Sequence, residues 1–323
     1  MTSKNSWLSP NFDENLVSII ISLYNREGLI SETLDSVAHQ SYRPIECIIV
    51  DDGSTDQSRI VVENYISKYS GNVSFKYYYQ DNKGAQAARN FGSRKASGSY
   101  FQYLDSDDIL YKDKLTLQVQ AFKANTNIHG VYSDWKIGTK LKSKSVVSDM
   151  AINEDSVTNY ITNGPLVNFS PLFSRNSLNS IGPWNEKLTI NEELEYHIRF
   201  YCEGYKFCYV NYESGLYREH SGFRLYQNNS FKNLYYYFTH VEKLLITSGL
   251  WTSAIGIVMS NEIIFNVIQR NYKQKELRLP LLLKALEYNK DVLPFQSRKV
   301  KLISLIFGNR LALKFWILTL RYL

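Results

Sequence analysis

Short apolar runs alternate with segments of helical periodicity through the first third of the chain. Residues 16–23, 45–50, 73–79 and 100–104 are rich in β-branched and aromatic side chains, as strands covered on both faces are. Between these runs, apolar residues recur at the three- and four-residue spacing of amphipathic helices. Strands that alternate with helices in this way predict an α/β fold, with a mostly parallel central sheet flanked by helices.

The pattern continues less regularly in the middle of the chain. A helix is predicted over 112–124 and a strand over 130–137, whereas residues 139–163 are polar and have no strong period. That polar segment is predicted to be rich in loops, and it forms either a mobile lid or a plain surface excursion.

A further helix is predicted to begin after Asn191, whose side chain suits an N-cap, and to end at Gly204. Glu192 and Glu193 fall in its first turn, where the helix dipole favours acidic side chains whatever else they do. A short strand is predicted over 207–210.

The composition changes near residue 226, where Gly and Pro become sparse and long apolar helical patterns take over. This change predicts an α/β domain at 1–225 and a helical region at 226–323. The uncharged run 244–261 is only marginally long for a membrane span and is diluted by polar residues, so it predicts a buried helix.

The last stretch of the chain mixes basic side chains with large apolar ones. Its basic residues are Arg298, Lys299, Lys301, Arg310, Lys314 and Arg321. A basic amphipathic helix of this kind can lie on an anionic membrane surface, or it can pack on the main domain with a solvated basic face. The membrane contact is the slightly favoured interpretation.

The overall composition is that of a globular protein, with 44% hydrophobic and 21% charged residues. The net charge of +6 argues against a dedicated nucleic-acid binder, which concentrates basic residues on one face. Cys47, Cys202 and Cys208 are odd in number and lack metal-ligand spacing, and the start of the sequence has no apolar signal-peptide core. We therefore expect a reduced, cytoplasmic setting.

Carboxylates follow two of the predicted strands directly. Asp51 and Asp52 end the second strand, and Asp105, Asp107 and Asp108 end the fourth. The carboxyl ends of parallel strands meet at one edge, where open α/β sheets bind their ligands. Acids this close repel one another unless a cation or water lies among them. An Asp-x-Asp pair offers the oxygen ligands that Mg²⁺ or Mn²⁺ prefers, with positions left for a diphosphate, whereas a solvated acidic turn is the alternative.

The usual glycine-rich phosphate motifs are missing from the sequence. No Gly-x-Gly-x-x-Gly follows the first strand, and no Gly-x-x-x-x-Gly-Lys-[Ser/Thr] occurs. A phosphate-bearing ligand would therefore be held by a metal and carboxylates rather than by a glycine cradle.

Six short motifs occur in one order between residues 17 and 220. They are Val17-Ser18-Ile19-Ile20-Ile21 with Tyr24-Asn25; Ile49-Val50-Asp51-Asp52-Gly53-Ser54-Thr55-Asp56; Asn82-Lys83-Gly84 with Ala88-Arg89-Asn90 and Gly92; Gly98-Ser99-Tyr100 leading to Asp105-Ser106-Asp107-Asp108; Glu192-Glu193-Leu194-Glu195 with Arg199; and Gly204-Tyr205-Lys206-Phe207. In this order and spacing the chain resembles the inverting nucleotide-sugar glycosyltransferases of family 2, which have the GT-A fold. The resemblance does not extend to the C-terminal helices.

The resemblance implies a role for each matched residue. Asp51 and Asp52 match acids that contact the nucleoside, and Arg89 matches a basic residue of the nucleotide pocket, although a helix-surface arginine is the alternative. The implied nucleotide-sugar-binding residues are Tyr24, Asn25, Glu27, Asp51, Asp52, Lys83, Arg89, Asp105 and Ser106.

The resemblance also implies a metal site. Asp105 matches an acid near the ribose or the metal, and Asp107 matches the ligand of Mn²⁺ or Mg²⁺ on the diphosphate. His220 matches part of an Arg-x-His element that approaches the metal or the phosphates. The implied metal ligands are therefore Asp107, Asp105 and His220.

A pair of glutamates is expected to supply the general base. Glu193 falls where the family usually has the aspartate of a Glu-Asp pair, so the Glu-Glu pair departs from the family pattern. Glutamate is chemically competent but one methylene longer. Both Glu193 and Glu192 therefore remain candidates, and geometry decides between them.

The resemblance implies a metal-dependent enzyme that moves a hexosyl or N-acetylhexosaminyl group from a nucleotide-diphosphate donor, most often a UDP-sugar in this family, to an acceptor hydroxyl with inversion. A glycan or lipid-linked acceptor is expected, in bacterial surface-polysaccharide synthesis on the inner face of the membrane. A non-catalytic nucleotide-sugar-binding scaffold would instead bind donor without consuming it. In a membrane-adaptor protein that acts through its C-terminal helices, the acids would be dispensable.

Overall fold

The computed structural model describes residues 6–146, 157–163, 166–220, 230–269 and 278–289. These residues fall into two compact units. The first unit comprises 6–146, 166–187 and 192–220, and the second comprises 157–163, 188–191, 230–269 and 278–289. The boundary predicted near residue 226 and the basic residues at 298–321 lie outside the described part of the chain.

All strands of the described chain belong to the first unit, together with most of the helices between them. The strands are β1 (Asp13–Leu23), β2 (Ile45–Asp52), β3 (Val73–Gln80), β4 (Gly98–Asp105), β5 (Ile109–Leu110), β6 (Gly130–Gly138), β7 (Ser143–Val146), β8 (Leu172–Ser174) and β9 (Phe207–Arg218). The helices are α1 (Ile30–Ala38), α2 (Ser58–Lys68), α3 (Ala85–Lys95), α4 (Lys114–Ala124), α5 (Val157–Asn163), α6 (Arg175–Ile181), α7 (Glu192–Cys202), α8 (Phe231–Thr247), α9 (Ser253–Gln269) and α10 (Arg278–Tyr288).

The described strands form one sheet in the order β3-β2-β1-β4-β8-β6-β9-β5, and β7 pairs with β6. β3, β2, β1 and β4 run parallel to one another, so their carboxyl ends meet at one edge. β8 joins β4 antiparallel, and the second half of the sheet mixes both directions. The predicted α/β fold with a central sheet flanked by helices is confirmed. Its continuous parallel part consists of β3, β2, β1 and β4, the strands that the sequence pattern predicts most clearly.

The parallel half is the most deeply buried part of the sheet. Every residue of β2 is buried, and so is β1 from Val17 to Leu23. Ile19, Ile20 and Ile21 have no exposed surface at all. Consecutive buried positions are what a strand covered by helices on both faces requires, which explains why an uninterrupted apolar run predicts these strands correctly.

Three local predictions before residue 220 differ from the structure. The polar segment 139–163 contains β7 and α5, although part of it lies outside the described residues. β9 extends to Arg218 instead of ending at 210, and its polar middle, residues 211–214, hides it from a pattern based on apolar runs. Asn191 has a φ of +50°, unlike the extended backbone of an ordinary N-cap residue.

The predicted end of α7 at Gly204 is confirmed. Gly204 has a φ of +76°. Its N–H donates to the carbonyl of Tyr201 at 2.9 Å, and the N–H of Tyr205 donates to the carbonyl of Phe200 at 3.3 Å. This pair of hydrogen bonds is the Schellman motif that a C′ glycine permits.

The single helix predicted over 244–261 is wrong, because α8 ends at Thr247 and α9 begins at Ser253. The break is a second Schellman motif, in which Gly249 has a φ of +69°. The N–H of Leu250 donates to the carbonyl of Leu245 at 2.8 Å, and the N–H of Gly249 donates to that of Ile246 at 3.1 Å. None of the described helices is long and apolar enough to cross a membrane.

Candidate active site

Acidic side chains gather where β1, β2 and β4 end. In the sheet register, Asp51 of β2 lies beside Leu23 of β1, and Asp105 of β4 lies beside Ser22 on the other side of the same strand. Only the end of β1 therefore separates the acids that follow β2 from those that follow β4. The structure brings both groups to the edge where open α/β sheets bind ligands.

The carboxylate of Asp52 is fully engaged by the turn before α3. Its Oδ1 accepts hydrogen bonds from Gln80 Nε2 at 2.7 Å and from the main-chain N of Lys83 at 2.8 Å. Its Oδ2 accepts from the main-chain N of Gly84 at 2.8 Å. Asp52 is buried, whereas the Lys83 side chain is exposed. In this arrangement Asp52 shapes the turn that borders the site.

Replacing Asp52 with Ala should therefore destabilise the fold. Three hydrogen-bond donors would lose their buried acceptor, at a combined cost of roughly 3 kcal/mol in the free energy of unfolding. Urea unfolding of the Asp52→Ala and Asp52→Asn variants measures this, and the Asn variant, which keeps one acceptor oxygen, should lose less. Unchanged stability with weakened nucleotide binding would instead make Asp52 a direct ligand contact.

Asp51 has two described partners of its own. Its Oδ1 accepts from the main-chain N of Ser54 at 2.8 Å, and its Oδ2 accepts from the Tyr77 hydroxyl at 2.8 Å. Burial and the Asp51 carboxylate together raise the pKa of Tyr77, so this hydroxyl stays protonated and remains a donor.

At Gly53, which has a φ of +78°, a Cβ would lie 2.9 Å from the main-chain N of Asn82, so only glycine fits there.

The segment after β1 is fastened to the loop after β2. Asn25, at a φ of +51°, accepts from the main-chain N of Thr55 through its Oδ1 at 2.8 Å. Glu27 Oε2 accepts from the main-chain N of Gln57 at 2.7 Å. Tyr24 is half-buried at the end of β1. The described bonds of Asn25 and Glu27 thus join two loops of the rim.

Asp105 is held from two sides. Its Oδ1 accepts from Arg89 Nη2 and from Asn168 Nδ2, each at 2.9 Å. Arg89 and Asn168 are both buried. One carboxylate oxygen of Asp105 is thereby fixed by partners inside the protein.

Asp107 is paired with two cationic or potentially cationic groups. Its Oδ2 lies 2.9 Å from Arg26 Nε and 2.9 Å from His220 Nε2. Burial opposes ionisation of Asp107, yet Arg26 and His220 outweigh it and hold the pKa of Asp107 below its ordinary value. Asp107 is therefore a carboxylate at neutral pH.

Asp108 differs from its two neighbours. It is buried, its Oδ1 accepts from the main-chain N of Arg218 at 3.0 Å, and its Oδ2 has no hydrogen-bond partner among the described residues. Burial and the charges of Asp107 and Asp105 raise its pKa well above the ordinary value. Ser106 is also buried, and its carbonyl accepts from Thr33 Oγ1 at 3.0 Å. Asp108 and Ser106 thus support the loop from inside.

The acids of the loop after β4, together with His220 after β9, have side chains that can bind a divalent cation. Asp107 and His220 already meet, and Asp105 lies two residues earlier on the same loop. No group of three or more His, Cys, Asp or Glu side chains in the described chain is arranged as a ready metal cage. One or two carboxylates with further positions left open are nevertheless the donors expected for Mg²⁺ where a diphosphate supplies the remaining oxygens.

The two candidate bases lie together at the start of α7, opposite Arg89. Glu193 Oε1 lies 3.6 Å from Arg89 Nη2, and Glu192 Oε1 lies 3.9 Å from Arg89 Nη1. The Glu193 side chain is 28% exposed and that of Glu192 13%, so Glu193 is the more open to an incoming group.

Burial, together with the charge of Glu192, raises the pKa of Glu193 to about 8, even though Arg89 acts in the opposite direction. Burial also raises the pKa of Glu192. A carboxyl group that titrates near neutral pH is suited to exchanging protons with a substrate.

Arg89 is the residue that joins the two halves of this rim. Its Nη2 contacts Asp105 in the loop after β4 and also faces Glu193, while its Nη1 faces Glu192. It is 3% exposed, and the surrounding carboxylates raise its pKa against the effect of burial. The alternative of a helix-surface arginine is therefore wrong.

Sequence reasoning missed several residues of the rim. Arg26 follows a matched motif and Arg218 is the arginine of the Arg-x-His element, although neither was assigned a role, whereas Asn168 has no sequence signal because it comes from a turn far along the chain. Arg218 donates through Nε to the carbonyl of Asp107, so it supports the loop from beneath.

Solved structures share this architecture. TarS of S. aureus in complex with UDP-GlcNAc superposes with a TM-score of 0.68 at 19% identity, over 84% of this chain and 81% of that one. The mannosyltransferase PcManGT from Pyrobaculum calidifontis, in complex with GDP-Man and Mn²⁺, gives a TM-score of 0.56 at 17% identity, over 99% and 88%. The sheet, its acidic rim and these likenesses define the class of the protein, a GT-A fold of the kind found in glycosyltransferases.

Sequence comparison narrows the class to a family. Residues 18–175 match the sequence model described as glycosyl transferase family 2. The family predicted from the motifs is confirmed for these residues, which make up just under half of the chain.

Curated relatives match a similar part of the chain. An uncharacterized glycosyltransferase of Rickettsia felis is 38% identical over 126 residues, which are 39% of this chain and 20% of the relative. WfgD of Escherichia coli, a UDP-Glc:alpha-D-GlcNAc-diphosphoundecaprenol beta-1,3-glucosyltransferase, is 37% identical over 125 residues, 39% of this chain and 47% of the relative. The matches thus span between a fifth and a half of these relatives.

Proposed function

We propose that the protein transfers a sugar from a UDP-sugar to an acceptor hydroxyl, with inversion and with the help of Mn²⁺ or Mg²⁺. The observation that carries the proposal is the rim itself, where Arg89 bridges the Asp-x-Asp loop and the glutamates of α7. This bridge supports the proposal, because a diphosphate held by that loop would lie beside a candidate base. The catalytic part corresponds to residues 1–225.

Glu193 is the proposed general base. It takes the proton of the acceptor hydroxyl as that oxygen attacks the anomeric carbon, and the nucleoside diphosphate departs from the opposite face. A single in-line displacement inverts the anomeric configuration, by the logic of inverting glycoside hydrolysis with a sugar hydroxyl in place of water. Glu192 faces the other edge of Arg89, so it is the second candidate for the same role.

The loop after β4 binds the diphosphate in this proposal. A cation held by Asp107 and His220, with Asp105 beside them, would neutralise charge that develops on the leaving group. Arg89 and Asn168 orient Asp105, while Arg26 contributes positive charge next to Asp107. Asp51 and Asp52 form the wall of the pocket on the nucleoside side, with Tyr24, Asn25, Glu27 and Lys83 along its border.

Similar proteins support the choice of substrates. TarS is solved with UDP-GlcNAc, and WfgD is named for a UDP-glucose donor and a diphosphoundecaprenol-linked acceptor. We therefore propose a hexosyl or N-acetylhexosaminyl donor and a lipid-linked glycan acceptor. That acceptor would bring the enzyme to the cytoplasmic face of the membrane, where the basic residues at 298–321 would contact the lipid surface.

Thermal stabilisation by nucleotides tests the proposal. The purified protein is heated with UDP, GDP, TDP and their sugars, each with Mn²⁺ and with a chelator. UDP and its sugars are expected to raise the unfolding temperature only when Mn²⁺ is present. No shift with any nucleotide would contradict the proposal, and stabilisation without any release of UDP from the sugars would favour a binding scaffold.

The rate of sugar transfer should rise with pH through a midpoint near pH 8. Glu193 acts as a base only when it is deprotonated, and its pKa is raised to about 8, so the enzyme loses activity as the pH falls below that value. UDP release between pH 4 and 9.5, at saturating donor, measures the profile. A midpoint near pH 4 to 5, which is typical of an ordinary carboxyl group, would contradict the role of Glu193.

A further inference from the structure

Trp184 lies in a column of stacked groups beside the candidate base. Its ring is parallel to that of Tyr196, with an interplanar angle of 2° and 4.0 Å between centroids. The guanidinium carbon of Arg89 lies 4.7 Å from the Trp184 centroid, and that of Arg199 lies 4.9 Å from the Tyr196 centroid. Because Tyr196 covers one face of Trp184, Arg89 lies on the other.

The column is anchored at both ends. Asn90, the residue after Arg89, accepts from the main-chain N of Trp184 at 2.7 Å and donates to its carbonyl at 2.9 Å. At the far end, Arg199 donates to the carbonyl of Ile181 at 2.5 Å. Asn90 and Trp184 are both buried, so the end of the column beside Arg89 is shielded from solvent.

Few hydrogen bonds fix the position of Arg89. Only Nη2 makes a close bond, to Asp105, while Nε and Nη1 are buried without a hydrogen-bond partner among the described residues. A guanidinium has five N–H donors, and a buried one normally pairs with carboxylates through two parallel hydrogen bonds. Here Arg89 instead remains 3.6 and 3.9 Å from the two glutamates.

We propose that Trp184 is a positioning residue for Arg89. Its ring holds the Arg89 guanidinium flat against its face and thereby keeps the guanidinium from forming close ion pairs with the glutamates of α7. Tyr196 lies on α7, three residues after Glu193, so one ring stack fixes both the arginine and the helix that carries the base. The arginine then orients the carboxylates without pairing tightly with them. This inference rests on the proposed function, because it assigns Trp184 its role through Glu193.

The test replaces the ring without emptying the core. Trp184→Leu keeps an apolar side chain but removes the flat face, whereas Trp184→Phe keeps a flat aromatic face. Release of UDP from UDP-glucose and UDP-N-acetylglucosamine is measured with Mn²⁺, and UDP binding is measured separately by calorimetry. Trp184→Leu should lower kcat about 100-fold, as a displacement of about 1 Å does, while Kd for UDP changes less than about twofold. Trp184→Phe should recover most of the rate.

A matched control separates positioning from general loss of packing. Phe122, a buried aromatic side chain that packs on Tyr100, is replaced by Leu and should leave kcat within about twofold. In an Arg89→Lys background, Trp184→Leu should cost much less than it does alone, since lysine has no planar group to stack. Equal losses in Trp184→Leu and Phe122→Leu, or full additivity with Arg89→Lys, would overturn the inference. If the unaltered protein releases no UDP from either sugar and does not bind UDP, it is the proposed function that fails.

Discussion

Replacing Glu193 with Gln should abolish most sugar transfer while leaving donor binding intact. The amide keeps the shape of the side chain and its distance from Arg89 but cannot accept the proton of the acceptor hydroxyl. A positioned general base contributes about 10²- to 10⁴-fold to a rate, so the loss in kcat should fall in that range. Release of UDP from a UDP-sugar in the presence of acceptor gives the rate, and calorimetry with UDP and Mn²⁺ gives the binding.

Glu192→Gln is the matched control, since both glutamates face the same arginine. Glu192 is less exposed and lies 3.9 Å from Arg89, so its replacement should alter kcat by less than about tenfold. If Glu193→Gln retains turnover and Glu192→Gln loses it, the base is Glu192. The longer side chain of glutamate, compared with the aspartate usual in the family, would then allow the preceding residue to serve as the base. Loss of UDP binding in either variant would mean that the glutamates serve the donor site instead.

The parallel half of the fold is predictable because one physical rule governs it. Strands buried on both faces need uninterrupted apolar residues, and β1 and β2 show them without exception. The same rule does not predict β7 and β9, because these strands have exposed positions where polar residues are tolerated. The interruption between α8 and α9 was missed for another reason, because hydrophobicity alone does not show that Gly249 adopts a positive φ.

The candidate site was predictable to the extent that its residues follow strands. Asp51, Asp105 and Asp107 come to one edge because parallel strands end there, and this follows from alternation of strands and helices. What holds these acids in place comes from distant turns. Asn168 and Trp184 have no spacing that marks them, and only the folded chain shows that the first clamps Asp105 and the second supports Arg89.

The observed contacts also change the roles expected of Asp52 and Asp108. Asp52 carries the sequence signal of a ligand-binding acid, yet its carboxylate accepts three hydrogen bonds from the neighbouring turn and side chain. Asp108 stands in the same acidic cluster as Asp107, but burial and the charges of Asp107 and Asp105 raise its pKa well above the ordinary value. Neighbouring acids with the same sequence signal can therefore differ in role, because burial and hydrogen-bond partners decide how each ionises.

Replacing Asp107 with Ala should remove metal-dependent binding of the nucleotide. Asp107 is ionised at neutral pH, lies in contact with His220, and is the carboxylate best suited to a divalent cation in this loop. Loss of a partner outside the coordination shell lowers metal affinity by about 10- to 100-fold, so loss of a ligand should cost at least about 100-fold. Calorimetric titration of UDP in Mn²⁺ and in chelator measures the effect.

The neighbouring acid is the control that makes this result interpretable. Since burial and the neighbouring charges disfavour ionisation of Asp108, Asp108→Asn should keep the hydrogen bond from Arg218 and leave the Mn²⁺ dependence of UDP binding within about threefold. If Asp107→Ala binds UDP with unchanged affinity and unchanged Mn²⁺ dependence, Asp107 is not a metal ligand. If the unaltered protein binds UDP equally well in chelator, Arg26, already 2.9 Å from Asp107, is the cation available to neutralise the diphosphate.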